Sequence, residues 1–287
     1  MANVPTLRFP GFTDEWQKKK LCSIAKLSKG TGISKEDKSD YGSPCILYGE
    51  LYTTYNSEII NEVVSKTELH LDNLVQSESN DVIIPSSGES AIDISTARCV
   101  TTSGVLLGGD LNIIRLYQDD GRFLCYQLNS VRKLDIAKVA QGVSVVHLYG
   151  DALKSISVSL PHIDEQKKIA DFLSLLDERI ELQSKLIYKL QSLIKGLNQQ
   201  LLTKCDSWNT YQLKDIALIK SGYSGTQINA ETPFKVSRIE TISQHYIDMQ
   251  RIGYVQEVPK NYKLNIGDIL FSNINSVQSV SYTHLRA

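Results

Sequence analysis

His147 stands three residues after Ser144, and a hydroxyl near an imidazole is the pairing that acyl-transfer chemistry uses. The residues around them, Gln141-Gly142-Val143-Ser144, form no Gly-x-Ser-x-Gly elbow and bring no assignable acidic partner, so His147 is expected as a buried core histidine. Gly104-Val105-Leu106-Leu107-Gly108-Gly109-Asp110 lacks both G-x-G-x-x-G spacing and a βαβ setting, so no dinucleotide or S-adenosylmethionine site is expected. Cys22, Cys45, Cys99, Cys125 and Cys205 are odd in number and scattered, with no C-x-x-C pair. They read as reduced, mostly buried thiols rather than a zinc ribbon or a disulfide framework. No methyltransferase or nuclease motif appears either. From these residues no cofactor and no metal are expected.

The elements that carry these residues must fit in 287 residues that are 41% hydrophobic, enough for one good core and a second smaller one. Net charge is −1, and residues 1–160 hold 16 Lys+Arg against 19 Asp+Glu. A free-standing nucleic-acid binder usually carries a basic excess, so any such role needs a local basic face or partner subunits. The opening Met1-Ala2-Asn3-Val4-Pro5 is not a basic-then-apolar leader, and no apolar run nears the ~20 residues of a membrane span. The expectation is a soluble, cytoplasmic chain with no membrane partner.

An internal repeat organises the chain. Trp16-Q-K-K-K-Leu21-C-S-Ile24-Ala25-K-L-S-K-Gly30 is answered by Trp208-N-T-Y-Q-Leu213-K-D-Ile216-Ala217-L-I-K-S-Gly222, with five matches at an offset of 192. Asp81-Val82-Ile83-Ile84-Pro85-Ser86 is answered by Asp268-Ile269-Leu270-Phe271-Ser272-Asn273 at an offset of 187. Both segments follow an Asn or Gly suited to a turn, and both look like a buried strand that runs into a polar loop.

Between the copies, the pattern changes at Pro161 to one long periodic run. Pro161 suits a first helical turn, and Asp164 and Glu165 lie where the helix dipole favours negative charge. Ile169, Leu176, Leu190 and Leu197 share one heptad position, and Leu173, Ile180, Ile187, Ile194 and Leu201 share the other, with Gln183 the single polar break. Spacing of this kind over about five heptads predicts a coiled-coil helix that needs a partner strand. About 40 residues at ~1.5 Å each make a rod near ~60 Å.

Three groups of residues together resemble the specificity subunit of type I restriction-modification systems. They are Leu7-Arg8-Phe9-Pro10-Gly11-Phe12-Thr13-Asp14-Glu15-Trp16, the helix start Leu160-Pro161-H-I-D-Glu165-Gln166-K-K-Ile169-Ala170, and the repeated W-x4-L-x2-I-A. The resemblance implies an α+β fold with a target-recognition domain of mixed strands and short helices over 1–160, a long coiled-coil spacer helix over 161–204 and a partial second recognition domain over 205–279. It also implies a non-catalytic subunit that reads one half of a split double-stranded DNA target per domain and docks methyltransferase (modification) subunits on its helix, with endonuclease (restriction) subunits joining outside. The second copy has no counterpart of Gly108-Gly109-Asp110-Leu111-Asn112, of Gln141-Gly142 or of a second helix, so it reads as cut short and loosely folded. A homodimer of such chains would rebuild a pair of readers. Residues 280–287 depart from the repeat and read as a foreign tail outside the fold.

Recognition domains of this family are built of strands whose loops approach DNA, which directs attention to polar, basic or Gly-rich loops after apolar runs. Lys29-Gly30-Thr31-Gly32 has a repeat mate in Ser221-Gly222-Tyr223-Ser224. Pro85-Ser86-Ser87-Gly88-Glu89-Ser90 could hold phosphate oxygens through amides and hydroxyls, and Gln141-Gly142-Val143-Ser144 and Tyr48-Gly49-Glu50-Leu51-Tyr52 complete the set. Each of these loops also reads as a plain turn. Lys29, Gln141 and Asn112 are the residue types that read bases in bidentate geometry. Two other readings stay open: a structural coiled-coil scaffold that binds protein but not DNA, and a self-contained enzyme with an unrecognised site.

Overall fold

The computed structural model describes residues 5–70, 74–142, 145–203, 208–238, 241, 247–271 and 282–284. The chain divides into two compact units, Met1–Thr203 and Lys204–Ala287, and mixes sheets with helices as an α+β fold.

The first unit is built on a five-stranded sheet in the order β2 (Ala25–Lys29), β11 (Leu111–Leu116), β7 (Asp81–Pro85), β9 (Arg98–Val100) and β5 (Ile59–Ile60). Only the β9/β5 pair is parallel. All of β7 is buried, because apolar layers cover the sheet on both sides, and a strand buried twice reads as a continuous apolar run. Val82, Ile84 and Ile114 pack with Leu21, Phe123, Leu124 and Leu128 in one core, while Ile83, Leu111 and Ile113 pack with Ile46, Leu51 and Leu107 in the other.

The first core is closed by α1 (Leu21–Ile24), α3 (Gly121–Asn129), α4 (Lys133–Val139) and α5 (Gly150–Lys154). The second is closed by α2 (Glu50–Thr53) and a small sheet of β10 (Leu106–Leu107), β4 (Ser43–Ile46), β6 (Ser65–Thr67) and β3 (Lys38–Ser39). Two short pairs complete the unit: β1 (Gln17–Lys20) with β13 (Ser157–Leu160), and β8 (Ser87–Gly88) with β12 (Val146–His147). Asp120 caps α3 by accepting from the Arg122 and Phe123 amides, which satisfies donors that a helix start leaves open.

From this body α6 runs for 41 residues, Ile163–Thr203. Its start is seated by buried polar bonds. Arg8 Nε and Nη2 donate to the two carboxylate oxygens of Glu165, each at 2.6 Å. Gln166 accepts from the Asp120 amide at 3.0 Å and donates to Asp119 at 2.7 Å and to the Pro161 carbonyl at 3.0 Å. Phe9 meets Phe172 edge-on at 5.7 Å. Two of the three residue groups that carried the family resemblance thus bind each other.

The described part of the second unit holds α7 (Leu213–Ile216), β14 (Phe234–Val236) with β15 (Gly253–Val255), and β16 (Ile269–Phe271) with β17 (Tyr282–His284). The repeat is geometric as well as textual. Single helical turns α1 and α7 both end on an extended alanine whose amide returns to the turn's leucine, Ala25 to Leu21 and Ala217 to Leu213. The turns before β7 and β16 also agree. Glu78 and Asn265 amides donate to Asp81 and Asp268 carboxylates, both at 2.8 Å, across a positive-φ residue, Asn80 or Gly267. The copies differ in cover: Leu21 is 0% exposed and Leu213 is 68% exposed. Three tail residues, set outside the fold in the sequence reading, pair as β17 with β16.

Candidate nucleic-acid interface

Three loops of the first unit converge on one end of the five-stranded sheet, where β2 and β7 finish and β11 begins. Lys29 lies opposite Asn112, and Pro85 opposite Leu111. Beyond the strands, the Gly30 amide donates to the Leu111 carbonyl at 3.0 Å and the Ser86 amide to the Asp110 carbonyl at 2.8 Å. The third loop is fastened by the Leu148 amide, which donates to the Ser86 carbonyl at 2.9 Å, and by the Asn112 side-chain amide, which donates to the Leu148 carbonyl at 2.8 Å. The Gln141 and His147 backbones exchange both hydrogen bonds, at 2.9 and 2.7 Å.

Burial separates the candidates into those that face solvent and those that support them. Lys29 and Gln141 are exposed, Ser87 is half-buried, and Tyr48 is 36% exposed on the segment that leads into α2. Tyr52 borders β8, since a Cβ added to Gly88 would lie 3.9 Å from its hydroxyl. Burial raises the Tyr52 pKa, and Tyr48, Asp93 and Glu89 add to the rise. Asn112, expected to contact bases, is 1% exposed with its amide committed to Leu148, so it braces a loop behind the surface; its Oδ1 has no hydrogen-bond partner among the described residues. Ser86, 4% exposed, is a support too. Gly30 is buried where a Cβ would lie 2.1 Å from the Gly108 carbonyl oxygen, and Thr31 Oγ1 accepts from the Val75 amide at 3.0 Å. Ser144 lies outside the described residues. In the second unit Ser221 is exposed, and half-buried Tyr223 has its ring 5.5 Å from that of Tyr262.

His147 corrects an expectation. It is exposed, because β12 turns Val146 into the core, 6% exposed, and the next side chain out. Its ring stacks at 6.1 Å on Tyr149, which is 50% exposed. Sequence reasoning passed over Tyr149, and it passed over Lys18, Lys19 and Lys20, all exposed on β1. Three consecutive lysines were a readable sign of a solvated basic edge able to meet phosphates.

The thiols and the seam complete the inventory. Cys45, Cys99 and Cys125 are buried and Cys22 is exposed, while Cys205 lies outside the described residues. Burial raises the three buried thiols, Cys99 to about 12, which keeps them protonated and unreactive. Among the described residues no three His, Cys, Asp or Glu side chains gather as a metal would require, and no helix is long and apolar enough to cross a membrane. Along α6, Ile169 packs on the first core and Leu173 is half-buried. Leu176, Ile180, Ile187, Leu190, Ile194, Leu197 and Leu201 are all 45–69% exposed.

The family model described as "Type I restriction modification DNA specificity domain" matches residues 13–192. A Methanocaldococcus jannaschii protein named as the MjaX type I restriction enzyme specificity subunit is 39% identical over 80 residues, 26% of this chain and 19% of its own length. The type I restriction enzyme MjaVIII specificity subunit of the same organism is 24% identical over 199 residues, 62% of this chain and 45% of its own length. The chain therefore spans less than half the length of these curated relatives. Among solved structures, the type I restriction-modification system S subunit from M. genitalium superposes with a TM-score of 0.59 at 20% identity, covering 99% of this chain and 71% of that one. This likeness is one of fold.

Proposed function

Because the chain belongs to the type I restriction modification DNA specificity domain family, we propose that it is a non-catalytic, cytoplasmic DNA-recognition subunit. Each recognition domain, residues 1–160 and the partial copy 205–279, reads half of a split double-stranded target. The 161–204 helix is the spacer, and methyltransferase subunits dock on it with endonuclease subunits beyond them. Residues 280–287 are, in this proposal, a tail foreign to the repeat, although Tyr282–His284 pair with β16. The observation that carries it is the convergence of exposed Lys29 and Gln141 and half-buried Ser87 on loops at one end of the sheet, with Tyr48 beside the Tyr52 that borders β8. Gly30, Thr31 and Ser86 support these loops and Asn112 braces them from β11, Ser144 stays a DNA-contact candidate, and Ser221 and Tyr223 are the corresponding candidates of the second copy. The apolar residues left bare on α6 favour a second helix as partner, from modification subunits or a second copy of this chain.

The acidic balance of residues 1–160 favours a second reading, a protein-binding scaffold without DNA affinity. Titration of the full chain with random-sequence duplex across a salt series separates the two. DNA recognition predicts affinity that falls with log salt at a slope of about −0.9 per phosphate contacted. Absence of salt-sensitive binding, with the modification subunit also present, leaves only the scaffold.

A further inference from the structure

The β8/β12 pair and the Gln141 bridge place three polar residues in register. Ser87 is the cross-strand partner of His147, and His147 is the cross-strand partner of Gln141. Residues directly opposite on antiparallel strands project their side chains to the same face, about 4.5–5.5 Å apart. Hydroxyl, imidazole and carboxamide therefore line up across the ribbon, with Tyr149, two residues beyond His147, stacked on the imidazole at 6.1 Å. The His147–Gln141 backbone pair, the Leu148 amide on the Ser86 carbonyl and Asn112 on the Leu148 carbonyl hold this row on the buried sheet. The row thus faces solvent from a braced loop, with Gln141, His147 and Tyr149 exposed and Ser87 half-buried.

Resting on the DNA-recognition reading above, we propose that His147 and Tyr149, flanked by Ser87 and Gln141, are specificity-determining residues that read adjacent base pairs of the target half-site. A two-stranded ribbon fits a major groove, and hydroxyl, imidazole and carboxamide groups supply the donors and acceptors that base edges match. Tyr149 fixes the imidazole plane and adds an apolar face against a base or a thymine methyl.

The test is selection by the full chain from a pool of 30-base-pair duplexes with a randomised centre, run on wild type, His147→Ala, Tyr149→Ala and His147→Asn. Wild type enriches a motif. The two alanine variants lose about tenfold discrimination at one or two adjacent positions while affinity for the unselected pool changes by less than about threefold. His147→Asn, which keeps a donor and an acceptor, shifts the preferred base rather than erasing preference. Thermal unfolding midpoints equal to wild type show that the variants are folded. If wild type enriches a motif and both alanine variants keep it intact, or lose affinity equally for every sequence, this assignment is overturned while DNA recognition stands. If wild type, with the modification subunit also present, binds no duplex or enriches nothing, both fall.

Discussion

Gly30 shows how little room the candidate interface leaves. Its missing side chain lets the Lys29–Thr31 loop lie against the 107–108 backbone, where a Cβ would sit 2.5 Å from the Leu107 oxygen and 2.1 Å from that of Gly108. Neither atom is a flexible side-chain end, so Gly30→Ala should destabilise the first unit by about 1–3 kcal/mol in urea unfolding. Glu58 offers a titration with a definite sign. Burial, then the Asp177 carboxylate of α6, raise its pKa above the ordinary 4.5, and Arg98 of β9 opposes them only in part, with Cys125 of α3 close by. The folded chain then holds this proton more tightly than the unfolded one. Stability owed to it is complete below pH 4.5 and is lost as pH climbs through the raised value. Urea midpoints measured from acid to neutral pH should fall less steeply for Glu58→Gln than for wild type. An equal slope would show that Glu58 does not titrate late.

Gln166 carries the argument from residue to element. It joins the foot of α6 to the Asp120 amide, the Asp119 side chain and the Pro161 carbonyl. Gln166→Leu fills similar space but strands a buried amide at the α3 cap. The expected cost is about 1–3 kcal/mol, read as a lowered thermal midpoint. The sequence was explicit about elements wherever a period or a turn residue spoke. The 4-3 spacing gave α6, and Asn80 before Asp81 announced β7 much as Gly267 announced β16. It was silent where position depends on distant partners. Nothing near Asn112 says that its amide will reach Leu148, 36 residues on. His147 was misjudged because a two-residue strand is too short to display the alternation that turns it outward. Glu165 and Gln166 stood out by family resemblance, yet their role became plain only with Arg8 and Asp120 in place.

At the scale of the molecule, two copies of one local geometry live in different surroundings. Leu21 and Ile24 are 0% and 4% exposed beneath α5 and β13, whereas Leu213 and Ile216 are 68% and 64% exposed. Amide hydrogen exchange should therefore protect Ala25 far more than Ala217, although both make the same bond to a leucine carbonyl. Equal protection would show that the second unit covers its turn by other means. The seating of α6 has a mechanical side too. A helix of 41 residues is a rod about 60 Å long, and it is fastened to the first unit from Glu165, which Arg8 holds, as far as Asp177, which accepts from the Tyr126 hydroxyl at 2.6 Å. On the arm of about 40 Å beyond Asp177, one degree of play at these fastenings sweeps the far end through about 0.7 Å, comparable to the tolerance of a hydrogen bond. The buried clamp of Arg8 on Glu165 is thus a setting of aim, and wear at that joint would blur whatever register the far end must keep.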